Sequence, residues 1–226
     1  MKKDSQGAQA QAAAAAQPRK PRGRPRSFER AAALDAAMGV FWEKGFEAAS
    51  LADLTRAMGI NPPSLYAAFG DKEHLFLETM ERYQATHAIC CPYVDEPTAR
   101  GAIERLLTYM ATDLASPDRP RGCMMALAVA TANSGSPRLL RALAERRTAG
   151  RARMQERIER GIEEGDVPRG TDANALADFY ATVVSGMSLQ ARDGATRKSL
   201  LATVERAMSL FPPVSTPRKR REKQAA

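Results

Sequence analysis

Residues 50–70 predict two short helices separated by a glycine turn, and this pattern constrains the fold more than any other feature. Ser50 is a favourable N-cap residue, and Asp53 three positions later forms a weaker relative of the capping box. Gly59 is placed to end this helix, and Asn61 is placed to cap the next one. Two short helices joined by a glycine turn predict a helix-turn-helix, although many other helical corners share the pattern.

The rest of the chain also predicts helices, because apolar residues recur at helical spacing and no run of alternating β-branched residues occurs. Ser27 is expected to cap a first helix that ends at Gly45. Loop-forming residues separate further helices expected at about 98–115, 121–133, 137–164, 172–192 and 196–210. The fold class expected is therefore all-α.

The net charge of +8 is unevenly distributed. Residues 1–26 carry a net +6 and residues 213–226 a net +4, whereas residues 27–80 carry −4. Basic ends of this kind usually contact nucleic acid or acidic surfaces, and sometimes only aid solubility. No apolar run approaches the roughly 20 residues that span a bilayer, and residues 1–26 lack the apolar segment of a secretory signal. A cytoplasmic protein is therefore expected, associated with the nucleoid when it is bound to DNA.

Ser27 to Phe76 resembles the DNA-binding domain of the TetR (tetracycline-repressor) family. The resemblance rests on fixed spacings across about 50 residues without a gap, carried by Phe41, Gly45, Phe46, Ser50, Leu54, Gly59, Ile60, Asn61, Leu65, Tyr66, Phe69, Lys72, Glu73, Leu75 and Phe76. Thinner resemblance in "RGCMMALA" and "GMSLQARDGA" extends to the C-terminal half of the chain. The resemblance implies an N-terminal three-helix DNA-binding domain at 27–87, with the helix-turn-helix at 50–69, and a ligand-binding and dimerisation domain at 88–212. Residues 1–26 and 213–226 are expected to be disordered basic segments.

The same resemblance implies which side chains meet double-stranded DNA. It places six residues on the groove-facing side of the recognition helix, namely Asn61, Pro63, Ser64, Tyr66, Ala67 and Ala68. It also implies that Tyr66, Ser50 and Lys72 contact phosphates. Many relatives carry Lys or Arg near the start of this helix, but this chain offers no arginine there for a bidentate pair with guanine. Direct readout of bases is therefore expected to be sparse and to favour A·T pairs.

The stretch from Pro21 to Pro25 is typical of the core of an AT-hook. Narrow A·T-rich minor grooves attract arginine, so Arg22 and Arg24 are expected to enter the minor groove beside the operator. A merely solvated basic linker is the alternative.

The C-terminal half is expected to form a homodimer and to hold a small-molecule effector. Four residues of the helix at 172–192 are expected at the dimer interface, namely Leu176, Phe179, Val183 and Met187. Dimerisation would separate the two recognition helices by roughly 34 Å, which implies a pseudo-palindromic operator. Six residues are candidates to line the effector pocket, although ordinary core packing explains each of them as well: Tyr109, Met110, Cys123, Met124, Met125 and Met154.

The function expected is that of a sequence-specific transcriptional repressor released by its effector. No metal site and no cofactor are predicted, because Cys90, Cys91, Cys123 and the two histidines match no standard metal spacing. A thiol- or metal-responsive regulator of the same fold remains an alternative, as does an architectural protein that binds A·T-rich DNA generally. No paired carboxylate, catalytic triad or phosphate-binding loop occurs in a plausible context, so no enzymatic activity is expected. The sequence does not identify the effector.

Overall fold

The computed structural model describes residues 26–88, 93–131 and 136–213. These residues form nine α-helices and no strand, so the all-α prediction is confirmed. The helices are α1 (Arg26–Ala48), α2 (Leu51–Met58), α3 (Pro62–Phe69), α4 (Lys72–Tyr83), α5 (Ala99–Leu114), α6 (Met124–Thr131), α7 (Pro137–Glu164), α8 (Ala173–Arg192) and α9 (Arg197–Met208).

Turn and cap residues set the ends of α2 and α3 as their chemistry predicts, but the ends predicted for α1 were wrong. Helix α1 begins at Arg26, so Ser27 lies inside it rather than at its N-cap, and the helix does not end at Gly45. Gly45 kinks α1 with φ 79° and ψ 172°, and one further turn carries the helix to Ala48. Ser50 and Asp53 form a complete capping box: the Asp53 amide donates to the Ser50 hydroxyl at 3.0 Å, and the Ser50 amide donates to the Asp53 carboxylate at 3.2 Å. Gly59 ends α2 in the left-handed conformation, with φ 65°. A residue with a side chain would be strained there.

One hydrophobic core joins the N-terminal helices to the C-terminal ones. Its meeting point is a cluster we call the Trp42 junction, which comprises Trp42, Tyr83, His87, Arg119 and Gly122. The Trp42 indole donates to the Gly122 carbonyl at 2.9 Å and packs edge-on against the Tyr83 ring at a centroid distance of 4.9 Å. The Arg119 guanidinium lies 5.7 Å from the Trp42 ring centroid and 2.6 Å from Nδ1 of His87. His87 belongs to a π-helical turn, Gln84–Ala88, that extends α4.

Helix α7 approaches the start of α5 closely at Gly161. Gly161 of α7 accepts backbone hydrogen bonds from Asp166 and Val167 at 2.9 and 3.0 Å. The Asp166 carboxylate in turn accepts the Ala99 amide at 2.6 Å and so helps to cap α5. A methyl group at position 161 would lie 2.4 Å from Asp166 Oδ1 and 2.6 Å from Ala99 Cβ, so the crossing requires glycine.

Several predictions fall outside the described residues. These are the AT-hook with Arg22 and Arg24, the pair Cys90 and Cys91, and residues 214–226 of the basic tail. Within the described ranges, no helix is long and apolar enough to cross a membrane.

Candidate nucleic-acid interface

Helix α3 packs against the rest of the protein through one narrow face. Leu65 is fully buried and Phe69 is 4% exposed, and these are the buried residues of the helix. The Asn61 side chain caps α3 by accepting the Ser64 amide at 2.9 Å. All six residues predicted to face the groove are exposed: Asn61, Pro63, Ser64, Tyr66, Ala67 and Ala68.

Tyr66 is the largest side chain on this exposed surface. It is 47% exposed, and its hydroxyl has no hydrogen-bond partner in the part of the chain that the structure describes. A tyrosine that packs as ordinary core would be buried and would usually satisfy its hydroxyl internally. The Tyr66 hydroxyl is therefore available to an external acceptor.

The Ser50 hydroxyl is already used within the capping box. It donates to the Asp53 carboxylate at 2.7 Å, and Lys44 approaches the same carboxylate at 3.0 Å. These hydrogen bonds from Ser50 and Lys44 lower the pKa of Asp53 to about 2, so the carboxylate stays charged near the start of α2. A phosphate at this end of α2 would meet free backbone amides rather than the Ser50 hydroxyl.

Lys72 occupies the start of α4 and braces the end of α1. Its ammonium group donates to the Glu47 carbonyl at 3.3 Å and lies 4.7 Å from the centroid of the Phe46 ring. Partial burial lowers its pKa. Lys72, which was predicted to contact phosphate, has a structural role within the chain.

Arg30 of α1 links the N-terminal helix to the recognition helix, and sequence reasoning missed it. Its guanidinium lies 4.5 Å from the Phe69 ring centroid and 3.4 Å from the Ala68 carbonyl, and it pairs with Glu78 at 2.7 Å. The chain therefore enters α1 close to the exposed surface of α3. The partners of Arg30 are 38 and 48 residues away in sequence, so no local sequence pattern could have predicted this role.

The residues predicted to line an effector pocket separate into three places. Met110, Cys123, Met125 and Met154 line one cavity of about 160 Å³, bordered by α5, α6, α7 and α8, which we call the α7 cavity. Met124 lines a different depression beside Trp42. Tyr109 lies on the outer side of α5 and donates its hydroxyl to the His87 carbonyl at 2.9 Å.

The residues predicted for the dimer interface differ in their exposure within the single chain. Leu176, Phe179 and Val183 are partly buried on α8, where a partner could cover what remains exposed. Met187 is 1% exposed within the single chain, so it already belongs to the core and offers no surface to a partner. Leu189 on the same helix, which the sequence analysis did not single out, is 56% exposed.

Helix α7 is tied to α4 at three points. The Ser136 amide and hydroxyl both donate to the Glu73 carboxylate, at 2.9 and 2.6 Å. Arg138 and His74 approach to 2.9 Å, and further along α7 the Arg146 guanidinium lies 3.1 Å from Glu81. Because Arg146 also lines the α7 cavity, a direct chain of contacts connects this cavity to the N-terminal helices.

No group of three or more potential metal-ligating side chains occurs among the described residues. Cys123 is buried and unpaired by any disulfide.

Comparisons with known proteins cover both halves of the chain. Residues 33–79 match the family described as "Bacterial regulatory proteins, tetR family", and residues 100–208 match the family "Tetracyclin repressor-like, C-terminal domain". The chain is 34% identical over 198 residues to the HTH-type transcriptional repressor ComR of Escherichia coli strain K12, covering 86% of this chain and 94% of ComR. It is also 34% identical over 188 residues to the repressor BdcR of the same strain, covering 82% of this chain and 90% of BdcR.

Solved structures show the same relationship. A triple-cysteine mutant of the TetR family regulator CifR, in complex with 26-bp double-strand operator DNA, is 45% identical with a TM-score of 0.76. The match covers 84% of this chain and all of the CifR chain. Regulators of this family are DNA-binding transcription factors and not enzymes. The chain belongs to the TetR family of bacterial transcriptional regulators.

Proposed function

We propose that this protein represses transcription as a homodimer that binds a pseudo-palindromic operator and leaves it when a small molecule occupies the α7 cavity. The observation that carries the proposal is the exposure of α3, which buries only Leu65 and Phe69. An exposed short helix that follows a capped bracing helix is how helix-turn-helix proteins enter the major groove. ComR and BdcR are named as repressors, and CifR was solved on operator DNA, which supports the same role here.

In this proposal, α3 reads few bases directly. Tyr66 donates to a phosphate, and phosphates also meet the amides at the start of α2 and the Lys72 ammonium group. Asn61 uses its side-chain oxygen to cap α3, so it is not free to form a bidentate pair with adenine. Ala67 and Ala68 are suited to contact thymine methyl groups. Specificity then depends on DNA shape and on contacts outside α3.

The basic arm at 1–26 supplies those outside contacts in this proposal, with Arg22 and Arg24 in the A·T-rich minor groove. Supporting it, α1 begins at Arg26, and Arg30 one turn later touches the Ala68 carbonyl of α3. An arm that joins α1 here starts beside the recognition helix. The arm also offsets the net −4 charge of residues 27–80, which would otherwise repel DNA.

Dimerisation is proposed to pair α8 and α9 with their copies. Leu189 is 56% exposed on α8 and Leu210, just after α9, is 65% exposed, so apolar surface remains for a partner to cover. Ser185 and Gly186 are small and exposed, which would allow two helices to approach closely. A symmetric pair would present two copies of α3 about one DNA turn apart.

Release is proposed to pass from the α7 cavity to α4. The Glu73–Ser136 hydrogen bonds and the Arg146–Glu81 ion pair fix α7 to α4, and α4 packs against α1. A ligand that shifts α7 would therefore move the DNA-binding helices. It releases DNA only if it binds the shifted conformation more tightly, since equal affinity for both conformations shifts nothing.

Selection from a random duplex library with the purified protein tests this function, because the selection itself reveals the operator sequence. We expect enrichment of one pseudo-palindrome whose half-site centres lie about 10 bp apart or a multiple of that distance. A parallel selection with a variant lacking residues 1–24 should recover the same half-sites with a weaker A·T preference in the flanks. Enrichment of A·T content without a palindrome would instead identify an architectural DNA-binding protein.

A further inference from the structure

The α7 cavity has an apolar interior of limited size. Leu106, Met110, Met125, Met154 and Val184 contribute to its wall, and its volume is about 160 Å³. An apolar protein cavity of roughly 150 Å³ holds one benzene molecule. The apolar body of a ligand seated here is therefore a single ring or a short alkyl chain.

One edge of this cavity carries an excess of positive charge. Four arginines of α7 line it, and two of them have acidic partners: Arg146 pairs with Glu81 at 3.1 Å and Arg151 pairs with Asp178 at 2.8 Å. Arg147 and Arg153 have no hydrogen-bond or ion-pair partner within the described ranges. Both are more exposed than Met110 and Met154, which are buried, so the unpaired arginines lie on the solvent side of the cavity.

From this arrangement we propose that the α7 cavity binds a small organic acid, with its ring or alkyl body among the methionines and its carboxylate at the arginine edge. This assignment rests on the proposed effector function and specifies the ligand class. The apolar body leaves water, while the carboxylate remains near the solvent and meets guanidinium groups that match its two-oxygen geometry. An organic cation of the same size would meet an excess of like charge.

The same geometry gives the carboxylate a direct effect on α4. Arg146 lines the cavity and forms an ion pair with Glu81 of α4. The Arg146 side chain is only 19% exposed. A ligand carboxylate beside Arg146 competes with Glu81 for the same guanidinium. Occupation of the cavity therefore weakens one of the three ties between α7 and α4.

Direct binding in the absence of DNA tests the ligand class. We would titrate the full-length protein with two matched pairs, benzoate against benzamide and hexanoate against hexanamide, by isothermal titration calorimetry. Each acid should bind at least about tenfold more tightly than its amide, the ratio that corresponds to one hydrogen bond between charged partners. Equal or tighter binding of the amides, or no binding of any of the four compounds at millimolar concentration, would overturn the proposal.

Three variants identify the site. The double variant Arg147→Gln, Arg153→Gln should remove most of the preference for the acids, while Arg141→Gln, an exposed arginine on α7 outside the cavity, should leave it unchanged. Gly150 lines the cavity with open space around it, so Gly150→Leu should weaken acid and amide alike. Acid binding that survives both the double variant and Gly150→Leu would place the ligand elsewhere and refute the assignment.

DNA release is measured separately, with a duplex obtained from the selection described above. Acid binding that follows the variants but does not release DNA would leave the ligand class standing and contradict the effector role in the proposed function. Release by a neutral compound that displaces no bound acid would place the effector outside the α7 cavity and contradict the proposed function, whereas release by a neutral compound that displaces the acids and binds more tightly than they do would contradict the ligand class.

Discussion

Removing the hydroxyl of Tyr66 tests the DNA-binding surface with a change of one atom. The side chain is 47% exposed and its hydroxyl has no internal partner among the described residues, so Tyr66→Phe removes no known intramolecular hydrogen bond. The free energy of unfolding should change by less than about 0.5 kcal/mol, as is usual for surface substitutions. Loss of a hydrogen bond to phosphate should cost about 1–2 kcal/mol of binding, or roughly 5–30-fold in Kd.

Fluorescence anisotropy with labelled duplexes, combined with thermal denaturation, measures both quantities. A phosphate contact carries no base information, so affinity should fall by a similar factor for operator and for scrambled DNA. Tyr180→Phe is the matched control: the Tyr180 hydroxyl is buried and donates to the Ala207 carbonyl at 3.2 Å, so this variant should lose about 1 kcal/mol of stability and no DNA affinity. A Tyr66→Phe protein with lowered stability and unchanged affinity would show that Tyr66 packs rather than binds, and would refute the reasoning.

Three further predictions address packing, pH and the arm. Gly161→Ala places a methyl group within 3 Å of three side-chain atoms and should lower the free energy of unfolding by about 1–3 kcal/mol, whereas Gly39→Ala, with open space around it, should leave this free energy equal or higher. Equal changes in the two variants, measured by calorimetry, would contradict the prediction. Burial and the charge of Arg119 lower the pKa of His87, so the contribution of neutral His87 to stability should be complete above the usual histidine pKa of about 6.5 and should decline at lower pH. The fall in Tm towards pH 5 should therefore be smaller in His87→Gln than in the unmodified protein, and an equal fall in both would exclude His87 as the cause. Deleting residues 1–24 removes six basic side chains and one acidic one. The slope of log K for DNA binding against log salt concentration should become shallower by roughly 2–4 units while Tm stays constant, and an unchanged slope would show that the arm is a solvated tail.

Local chemistry accounts for what the sequence predicted well. The ends of α2 and α3 follow from Ser50, Gly59 and Asn61, because caps and turns depend on residues within one helical turn. The exposure of the recognition helix follows in the same way from its short apolar side. The all-α fold and the family could therefore be predicted from sequence alone.

Contacts between distant segments could not be predicted. Periodicity identified Met187 as apolar on α8 but could not distinguish a core position from an interface, and the structure buries it within the chain. Likewise, methionine content predicted pocket residues, but only the way α6 packs between its neighbours directs Met125 to the α7 cavity with Met110 and Met154, and the adjacent Met124 to the depression beside Trp42. The sequence analysis did not single out the arginines of α7, because their role depends on which acidic groups of other helices lie opposite them.

The Trp42 junction also supplies an optical reporter. Trp42 is the single tryptophan of the chain, so all indole emission arises from one site. That site touches α4 and its extension through Tyr83 and His87, and the loop before the cavity residue Cys123 through the Gly122 carbonyl. A shift in the emission maximum on ligand addition would therefore record movement between the two halves of the molecule in the unlabelled, unmodified protein.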